Sequence, residues 1–232
     1  MMKTILIWLG FFIVILLLVG GGFALWAQKS ARRIDVNSLK FEKLQTSSRS
    51  LSPQLQNIEL KVRTARIFIE EGTKPKVDLE NIPASQFKVT AAKQQLIITQ
   101  KDYFSHRLEL GKSATIRITL PAGKSLEELS VDQLNGLLKL NKITVQDLTI
   151  DHRNGTSLGQ NLILKGSGEV KKRNGTTVFN NLAAPGLKVS IKTGTFKLNG
   201  QRKAASNQNY DDHQTKQLKI VSGTGQVRVT TR

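Results

Sequence analysis

The chain contains no cysteine, and its 232 residues include only three histidines, two tryptophans and two tyrosines. Without cysteine the protein can form no disulfide bond, no thiol nucleophile, no lipid-modified cysteine and no cysteine metal site. Histidine is too scarce, and the carboxylates are too scattered along the chain, to suggest a catalytic centre. The sequence therefore predicts no catalytic residue, no metal site and no cofactor.

Acidic residues are also few, since 17 Asp and Glu stand against 35 Lys and Arg, and the formal net charge is +18. A surplus of this size selects binding partners by sign and favours anionic wall polymers, anionic lipids or nucleic acid. Nucleic acid is the least favoured of the three, because only 6% of the residues are aromatic and could stack on bases. The hydrophobic share of 39% is sufficient for a packed core.

Charged residues are absent from one long N-terminal run, which lies between Lys3 and Lys29. At about 1.5 Å per residue a helix of this length reaches roughly 37 Å, which exceeds a hydrocarbon core of about 30 Å. Trp8 and Trp26 lie near its two ends, where indoles prefer the membrane interface. The run is also longer than the apolar core of a cleaved signal peptide, roughly 7 to 15 residues. We therefore expect residues 1–28 to form a single-pass anchor in the cell membrane.

The charges on the two sides of this run leave the membrane orientation open. Lys29, Arg32 and Arg33 outnumber Lys3 and the terminal amine, which by the positive-inside rule would keep the C-terminal domain in the cytoplasm. A long domain is nevertheless often translocated regardless of its charge, and we expect this one outside the cell. The same three basic residues are predicted to contact anionic headgroups, and residues 29–57 to form a polar basic stalk.

From residue 58 onward, apolar and polar residues alternate in short segments that are rich in Ile, Val and Thr. Examples are IELKVR (58–63), QLIIT (95–99) and TIRITL (115–120). Alternation with a period of two is typical of β-strands that bury one face. We therefore predict an all-β fold, with an N-terminal β region over residues 58–125.

The C-terminal part repeats a segment in which a Val or Ile, in most copies with a Leu two places before it, precedes a glycine. The repeated glycines are at positions 136, 155, 175, 194 and 225, so three nearly equal steps are followed by one longer step. A unit of about 20 residues accommodates two short strands and two turns, which is one coil of a β-solenoid. We predict such a solenoid over residues 126–232, with a polar loop inserted at 199–217 in the one long step.

The repeat also predicts how the coils stack. The Leu and the Val or Ile face the same side of a strand, so stacked coils would pile like residues on like residues in an apolar ladder. Asn precedes the glycine in three coils, as in Asn135-Gly136. Glycine permits the positive φ that a corner needs, so these pairs are interpreted as turns.

The segments LQNIELKVRTARIFIEEG, QLIITQ and TIRITLPAGKSLEELSVDQLNGLLKL, followed by the glycine-ended repeats, resemble a known bacterial family. These are the putative-adhesin, β-strand-repeat proteins of a domain of unknown function, among them the LiaG-like envelope-stress proteins. The resemblance covers roughly residues 55–232. It implies a membrane-tethered, surface-facing β-solenoid with no established enzymatic activity, often encoded near envelope-stress regulators. An envelope-stress protein is accordingly one expected partner.

Two basic groups are the candidate contacts for an anionic partner. Lys171, Lys172 and Arg173 form the densest basic run of the predicted solenoid, immediately before a corner. Arg202 and Lys203 lie in the inserted loop, and loops extruded from a regular scaffold often carry recognition. The sequence thus predicts a non-enzymatic envelope protein, anchored in the cytoplasmic membrane, whose charge holds an anionic cell-wall polymer, anionic lipid or a surface partner.

Two functions of other classes stay open at the level of sequence. A carbohydrate-cleaving β-helix would use paired carboxylates, for which Asp132 and Asp151 are candidates. A regulatory module acting on a membrane stress sensor would need no ligand of its own.

Overall fold

The computed structural model describes residues 2–29, 32–37, 40–84, 86–101, 103 and 109–232. The fold is mostly β, with 70% of the residues in strands. In the described part of the chain the one helix, α1, spans Met2–Lys29. The strands are β1 (Arg32–Asp35), β2 (Lys40–Ser50), β3 (Asn57–Gly72), β4 (Lys76–Pro83), β5 (Phe87–Ala91), β6 (Gln95–Gln100), β7 (Glu109–Gly111), β8 (Ala114–Pro121), β9 (Ser125–Asn141), β10 (Thr144–Gln160), β11 (Ile163–Leu164), β12 (Gly168–Leu182), β13 (Leu187–Leu198), β14 (Gln201–Ala205), β15 (Gln208–Asp211) and β16 (Leu218–Thr231).

The N-terminal helix corrects one expectation from the sequence. Among the described residues, no helix combines the length and the apolar character needed to cross a membrane. On this finding, the predicted single-pass anchor at residues 1–28 and the cell-membrane location inferred from it are wrong.

The repeated unit is a long strand that folds back on itself. Thr144, at the start of β10, pairs in parallel with Ser125, at the start of β9, so the chain returns to its starting point after each strand. A straight strand of the length of β9 would end roughly 56 Å away. The fold therefore requires a sharp corner inside each long strand, which divides it into a first arm before the corner and a second arm after it.

Glycine forms these corners. In β9, β10, β12, β13 and β16 the corner glycine has a φ between 117° and 143°, a conformation that side chains disfavour. The corners also stack directly, because a Cβ on Gly155 would lie 2.0 Å from the carbonyl oxygen of Gly136. A glycine at each corner thus satisfies both the backbone angle and the close approach of the next coil.

The coils do not stack in chain order. The hydrogen-bonded order of the parallel strands is β3, β9, β10, β12, β16 and β13, so the C-terminal strand lies between β12 and β13. Gly225 accordingly pairs with Gly175 on one side and with Gly194 on the other. The segment 199–217, predicted as an inserted loop, contains β14 and β15, which pair antiparallel with the two arms of β13. These short strands cover an edge that would otherwise expose unpaired backbone groups.

The N-terminal strands belong to the same sheet. β3 pairs in parallel with β9 along both arms, with Ala65 opposite the corner Gly136. Beyond β3, its first arm pairs with β6 and its second arm with β8. Residues 29–57, predicted as a stalk, contain β1 and β2, and β2 pairs with β4. Hydrogen bonding therefore continues across the expected boundary between residues 125 and 126.

The core lies between the two arms of each coil. The Val or Ile of the repeat continues the buried position of Leu60 on β3, and together they form one ladder through the six parallel strands. Its members are Leu60, Val131, Ile150, Val170, Ile220 and Val189. Burying such a side chain contributes about 1.5–3 kcal/mol. The apolar ladder expected from the repeat therefore contributes to the stability of the stack.

Candidate anion-binding face

The outward side chains of the second arms form one continuous face. Along each second arm the side chains alternate between the core and solvent, so Ser157 is buried while Thr156 and Leu158 are partly exposed. Neighbouring strands lie about 4.8 Å apart, so outward residues at equivalent positions form rows that run along the stack. Two such rows cross the whole second-arm face.

The first row carries most of the charge of the second-arm face, and we call it the basic row. Its members, in order across eight hydrogen-bonded strands, are Arg117, Phe68, Lys139, Leu158, Val178, Arg228, Lys197 and Arg202. Five are cations, three are apolar and none is a carboxylate. At about 4.8 Å per strand the row extends roughly 34 Å.

The second row is rich in hydroxyl groups, and we call it the hydroxyl row. Its members are Thr115, Arg66, Leu137, Thr156, Thr176, Gln226, Thr195 and Ala205. It lies beside the basic row, two residues earlier in most strands. Across these eight strands the two rows offer cations and neutral hydrogen-bonding groups. On the adjacent strand β4 the rows end in carboxylates, since Asp78 pairs in register with Arg117 and Glu80 with Thr115.

Acidic residues of the same coils lie on the other face. In β9, β10, β12, β13 and β16 every carboxylate belongs to a first arm, at Glu127, Glu128, Asp132, Asp147, Asp151 and Glu169. In β9 the two arms separate charge by sign, whereas in β10 the first arm also carries Arg153 and the second arm carries no charge. The second arms of these five strands carry Lys139, Lys197 and Arg228 and no carboxylate, so an anion there would meet no repulsion from acidic groups of these coils.

One end of the second-arm face combines cations with an aromatic ring. The guanidinium carbon of Arg117 lies 4.6 Å from the centre of the Phe68 ring, and that of Arg66 lies 5.5 Å from it. These are cation–π distances, which hold both guanidinium groups near the ring. Arg117 also forms an ion pair with Glu70.

A cleft opens beside Arg66 at this end. It has a volume of about 620 Å³ and is lined by Arg66, Asn81, Gly111, Lys112, Ser113 and Thr115. A smaller cleft of about 160 Å³ shares residues 111–113 and adds Arg33, Arg63, Thr64 and Glu109 to its lining. The larger cleft has two cationic residues and no carboxylate in its lining.

Arg33 connects two walls of the larger cleft. Its Nη2 donates hydrogen bonds to the carbonyl oxygens of Asn81 and Lys112, both at 2.8 Å. Its Nη1 donates to Oε1 of Gln86 at 3.0 Å and lies 3.5 Å from a carboxylate oxygen of Glu109. Burial lowers the pKa of Arg33, and the nearby Glu109 carboxylate opposes that effect. Arg33 is 3% exposed and is thus a buried structural residue, away from any membrane headgroup.

The other residues predicted to contact anions fall in several places. Lys29 is exposed at the end of α1 and Arg32 is exposed on β1. Lys171 and Arg173 are exposed on the first arm of β12, where Lys171 pairs with Glu169 at 2.7 Å. The structure therefore does not join these four into one site.

The two predicted residues of the inserted segment are both exposed on β14. Arg202 pairs in register with Lys197 and so belongs to the basic row, whereas Lys203 lies next to it in sequence. Only one of the predicted contacts thus lies on the second-arm face.

Lys172 differs most from its predicted role, because it points into the core and is 3% exposed. Its Nζ lies 2.9 Å from Nδ1 of His152 and 3.2 Å from Oγ of Ser157. Burial lowers the pKa of Lys172 to about 7. A serine beside a lysine with a lowered pKa is a nucleophile pair in some enzymes, but these three side chains are buried beyond the reach of a substrate.

The carboxylates considered for carbohydrate cleavage are neighbours on the first-arm face. Asp132 and Asp151 pair in register, with Lys61 beyond the first and Lys171 beyond the second. The hydroxyl of Tyr103 donates a hydrogen bond to Asp132. The row is thus a balanced sequence of two lysines and two aspartates.

A stack of bent parallel strands with glycine corners defines a class of β-coil proteins with broad side faces. Within that class the chain belongs to the Toastrack family DUF4097, whose model matches residues 55–232. The expected resemblance to the bacterial putative-adhesin, domain-of-unknown-function family is confirmed.

The chain is similar to several solved structures, and the first one described here supports the fold. A putative cell adhesion protein from Clostridium sporogenes is similar with a TM-score of 0.58 and 16% identity, covering 82% of this chain and 100% of that one. A putative adhesin from Bacteroides fragilis has 13% identity and a TM-score of 0.33, with 81% and 97% covered. One from Parabacteroides distasonis has 13% identity and a TM-score of 0.29, with 80% and 97% covered. No curated protein matches the chain.

Proposed function

We propose that this protein is a non-enzymatic binding module of the bacterial surface that holds an anionic envelope polymer along its second-arm face. The observation that carries the proposal is the basic row, which presents five cations across eight strands, of which Arg117 is paired with Glu70. The similar protein from Clostridium sporogenes is named as a putative cell adhesion protein, which supports a surface location.

The geometry of the two rows suits a polymer better than a small ligand. Cations repeat along an axis of roughly 34 Å, so a chain with regularly spaced negative charges can meet several of them at once. The hydroxyl row beside them supplies hydrogen bonds to neutral groups of the same polymer. Each contact is weak because it is solvent-exposed, and affinity comes from their number.

Charge reversal on the two arms tests the proposal. The double variant Lys197→Glu with Arg228→Glu should abolish most binding to a purified anionic wall polymer, measured by co-sedimentation. The matched control, Arg173→Glu with Lys192→Glu, changes the net charge by the same amount at exposed first-arm positions and should leave most binding intact. Equal losses in the two variants would contradict a role for the second-arm face and leave only non-specific attraction.

Salt dependence provides a second test. Binding by exposed charges should weaken strongly between about 0.01 M and 0.15 M salt, where the Debye length falls from about 30 Å to about 8 Å. Binding that stayed constant over this range would contradict a charge mechanism. Release of soluble fragments from the polymer, lost in Asp132→Asn, would instead establish a carbohydrate-cleaving enzyme that uses the first-arm face.

A further inference from the structure

The cleft lined by Arg66 and Lys112 lies at the end of the hydroxyl row, because Arg66 is a member of that row and pairs in register with Thr115. A polymer that follows the second-arm face would therefore reach the cleft directly. We propose that the cleft is a phosphate-binding subsite that takes one phosphodiester unit of the polymer. This inference deepens the proposed function and rests on it.

The lining has the chemistry of an oxyanion site. Arg66 and Lys112 supply positive charge, Ser113 and Thr115 supply hydroxyl donors, and Asn81 supplies an amide. Among the described residues, neither Arg66 nor Lys112 forms an ion pair with a carboxylate, so their charge is available to a ligand. Arginine and lysine are the usual phosphate-binding residues, the first as a planar fork and the second as a point charge.

The volume of the cleft indicates the size of the ligand. About 620 Å³ lies within the range of roughly 300–1,000 Å³ that is typical of small-molecule sites. A free phosphate ion would leave most of this space unfilled. A phosphodiester together with its two flanking alcohol units fills more of it, and their hydroxyl groups can bond to Ser113, Thr115 and Asn81.

The walls of the cleft are fixed before a ligand binds. Arg33 holds the backbone of Asn81 and of Lys112 at 2.8 Å each, through one buried guanidinium nitrogen. Gly111 has a φ of 128°, and a Cβ there would lie 2.9 Å from the carbonyl oxygen of Arg32. Preorganisation of this kind reduces the entropy lost on binding.

Calorimetry on the full chain tests the subsite, with a short glycerol-phosphate oligomer as the probe. Lys112→Met and Arg66→Met should each weaken binding of the oligomer by roughly tenfold, the loss typical of one charge-assisted contact. The control Lys93→Met removes an exposed charge outside the cleft and should change nothing. Thermal unfolding of Lys112→Met, whose side chain is exposed, establishes that the variant is folded.

Two further probes define the ligand class. Inorganic phosphate should bind at the same residues but more weakly, because it lacks the flanking alcohol units. An oligomer of uronic acid, whose charges are carboxylates, should bind at least tenfold more weakly than the glycerol-phosphate oligomer. Equal binding of the two oligomers, or unchanged binding in Lys112→Met, would overturn the inference.

The double variant Lys197→Glu with Arg228→Glu separates this inference from the proposed function. It should reduce binding of the long polymer and leave binding of the short oligomer unchanged. If polymer binding were unaffected while the oligomer still depended on Lys112, the proposed function would fail and the subsite would stand. If the double variant bound the long polymer less well, while Lys112→Met bound both the polymer and the oligomer normally, the subsite alone would fail.

Discussion

The ammonium nitrogen of Lys172 lies 2.9 Å from Nδ1 of His152 inside the stack of coils. Oγ of Ser157 is 2.8 Å from the same histidine nitrogen and 3.2 Å from the ammonium group. Lys172 is 3% exposed, and no carboxylate forms an ion pair with it among the described residues. A buried cation without a countercharge is costly, which explains why the pKa of Lys172 falls to about 7. Burial and the adjacent Lys172 lower the pKa of His152 to about 4.

Stability should therefore rise with pH. Lys172 titrates near pH 7 in the folded protein and near its ordinary value of about 10.4 when unfolded, so between these values the unfolded chain binds more protons. His152 acts in the same direction between about pH 4 and its ordinary value of about 6.5. Because of these two groups, the free energy of unfolding measured by urea titration should be higher at pH 7 than at pH 5, and higher again at pH 9. Lys172→Met should be more stable than wild type at pH 6 and should lose most of the increase above pH 7.

The matched control for this prediction is the adjacent Lys171→Met. Lys171 is exposed and paired with Glu169, so its removal should leave the pH profile of stability unchanged. A wild-type profile that stayed flat from pH 6.5 to 9.5 would contradict a lowered pKa for Lys172. An equal effect of the two substitutions would show that the profile reports overall charge.

The buried position of Lys172 could have been found in the sequence. Val170 is the inward residue of its repeat, and with a period of two Lys172 must face the same side. Ile150 and His152 have the same spacing in the preceding coil. The interpretation as a basic surface run depended on the adjacency of Lys171 and Arg173, and adjacency in a strand places neighbours on opposite faces.

Other features could not be predicted from one sequence. The corner glycines and the apolar ladder follow from local spacing, but every coil carries nearly the same pattern, so local spacing does not determine which coil pairs with which. The insertion of β16 between β12 and β13 is therefore a tertiary outcome. The cleft likewise depends on long-range contacts, since Arg33 reaches Asn81 and Lys112 across 48 and 79 residues.

Corner glycines should not tolerate a methyl group. In Gly155→Ala the new Cβ would lie 2.0 Å from the oxygen of Gly136, and the φ of 121° would be strained as well. We expect a loss of about 3 kcal/mol or more in the free energy of unfolding, measured by urea titration.

The control for the corner is Gly123→Ala. Gly123 has a φ of 72° but no atom within 4 Å of the added Cβ, so only the backbone strain is introduced. This substitution should cost about 1–2 kcal/mol. If the two variants lost equal stability, direct stacking of the corners would not explain the requirement for glycine.

Gly159 and Phe179 should show a strong energetic coupling. They pair in register on β10 and β12, and a Cβ on Gly159 would lie 2.3 Å from the Phe179 ring. Gly159→Ala alone should destabilise the protein by about 1–3 kcal/mol through overpacking. Adding Phe179→Leu should recover part of this loss, because the smaller side chain makes room for the methyl group. The double-mutant cycle should give an interaction energy of about 1 kcal/mol or more.

The comparison for this cycle is Gly159→Ala combined with Phe196→Leu. Phe196 is also fully buried but lies on β13, three strands from β10 and therefore roughly 14 Å away. The two losses should add within about 0.5 kcal/mol. Additive behaviour in the cycle with Phe179 as well would show that the ring and Gly159 do not compete for the same space.

Glu109 should matter more to stability than an exposed carboxylate does, because it serves two buried guanidinium groups. It lies 3.5 Å from Nη1 of Arg33 and 2.5 Å from Nη2 of Arg63, and these arginine side chains are 3% and 5% exposed. Glu109→Gln should therefore lower the free energy of unfolding by about 3–5 kcal/mol. Glu59→Gln removes a carboxylate whose partner, Lys61, is 53% exposed, and should cost less than about 1 kcal/mol.

Glu109 should also affect the cleft, because Arg33 holds Asn81 and Lys112. Glu109→Gln should therefore weaken binding of the glycerol-phosphate oligomer under conditions in which the variant is still folded. Similar small losses in both variants, with oligomer binding unchanged, would show that Arg33 does not depend on Glu109 to position the cleft.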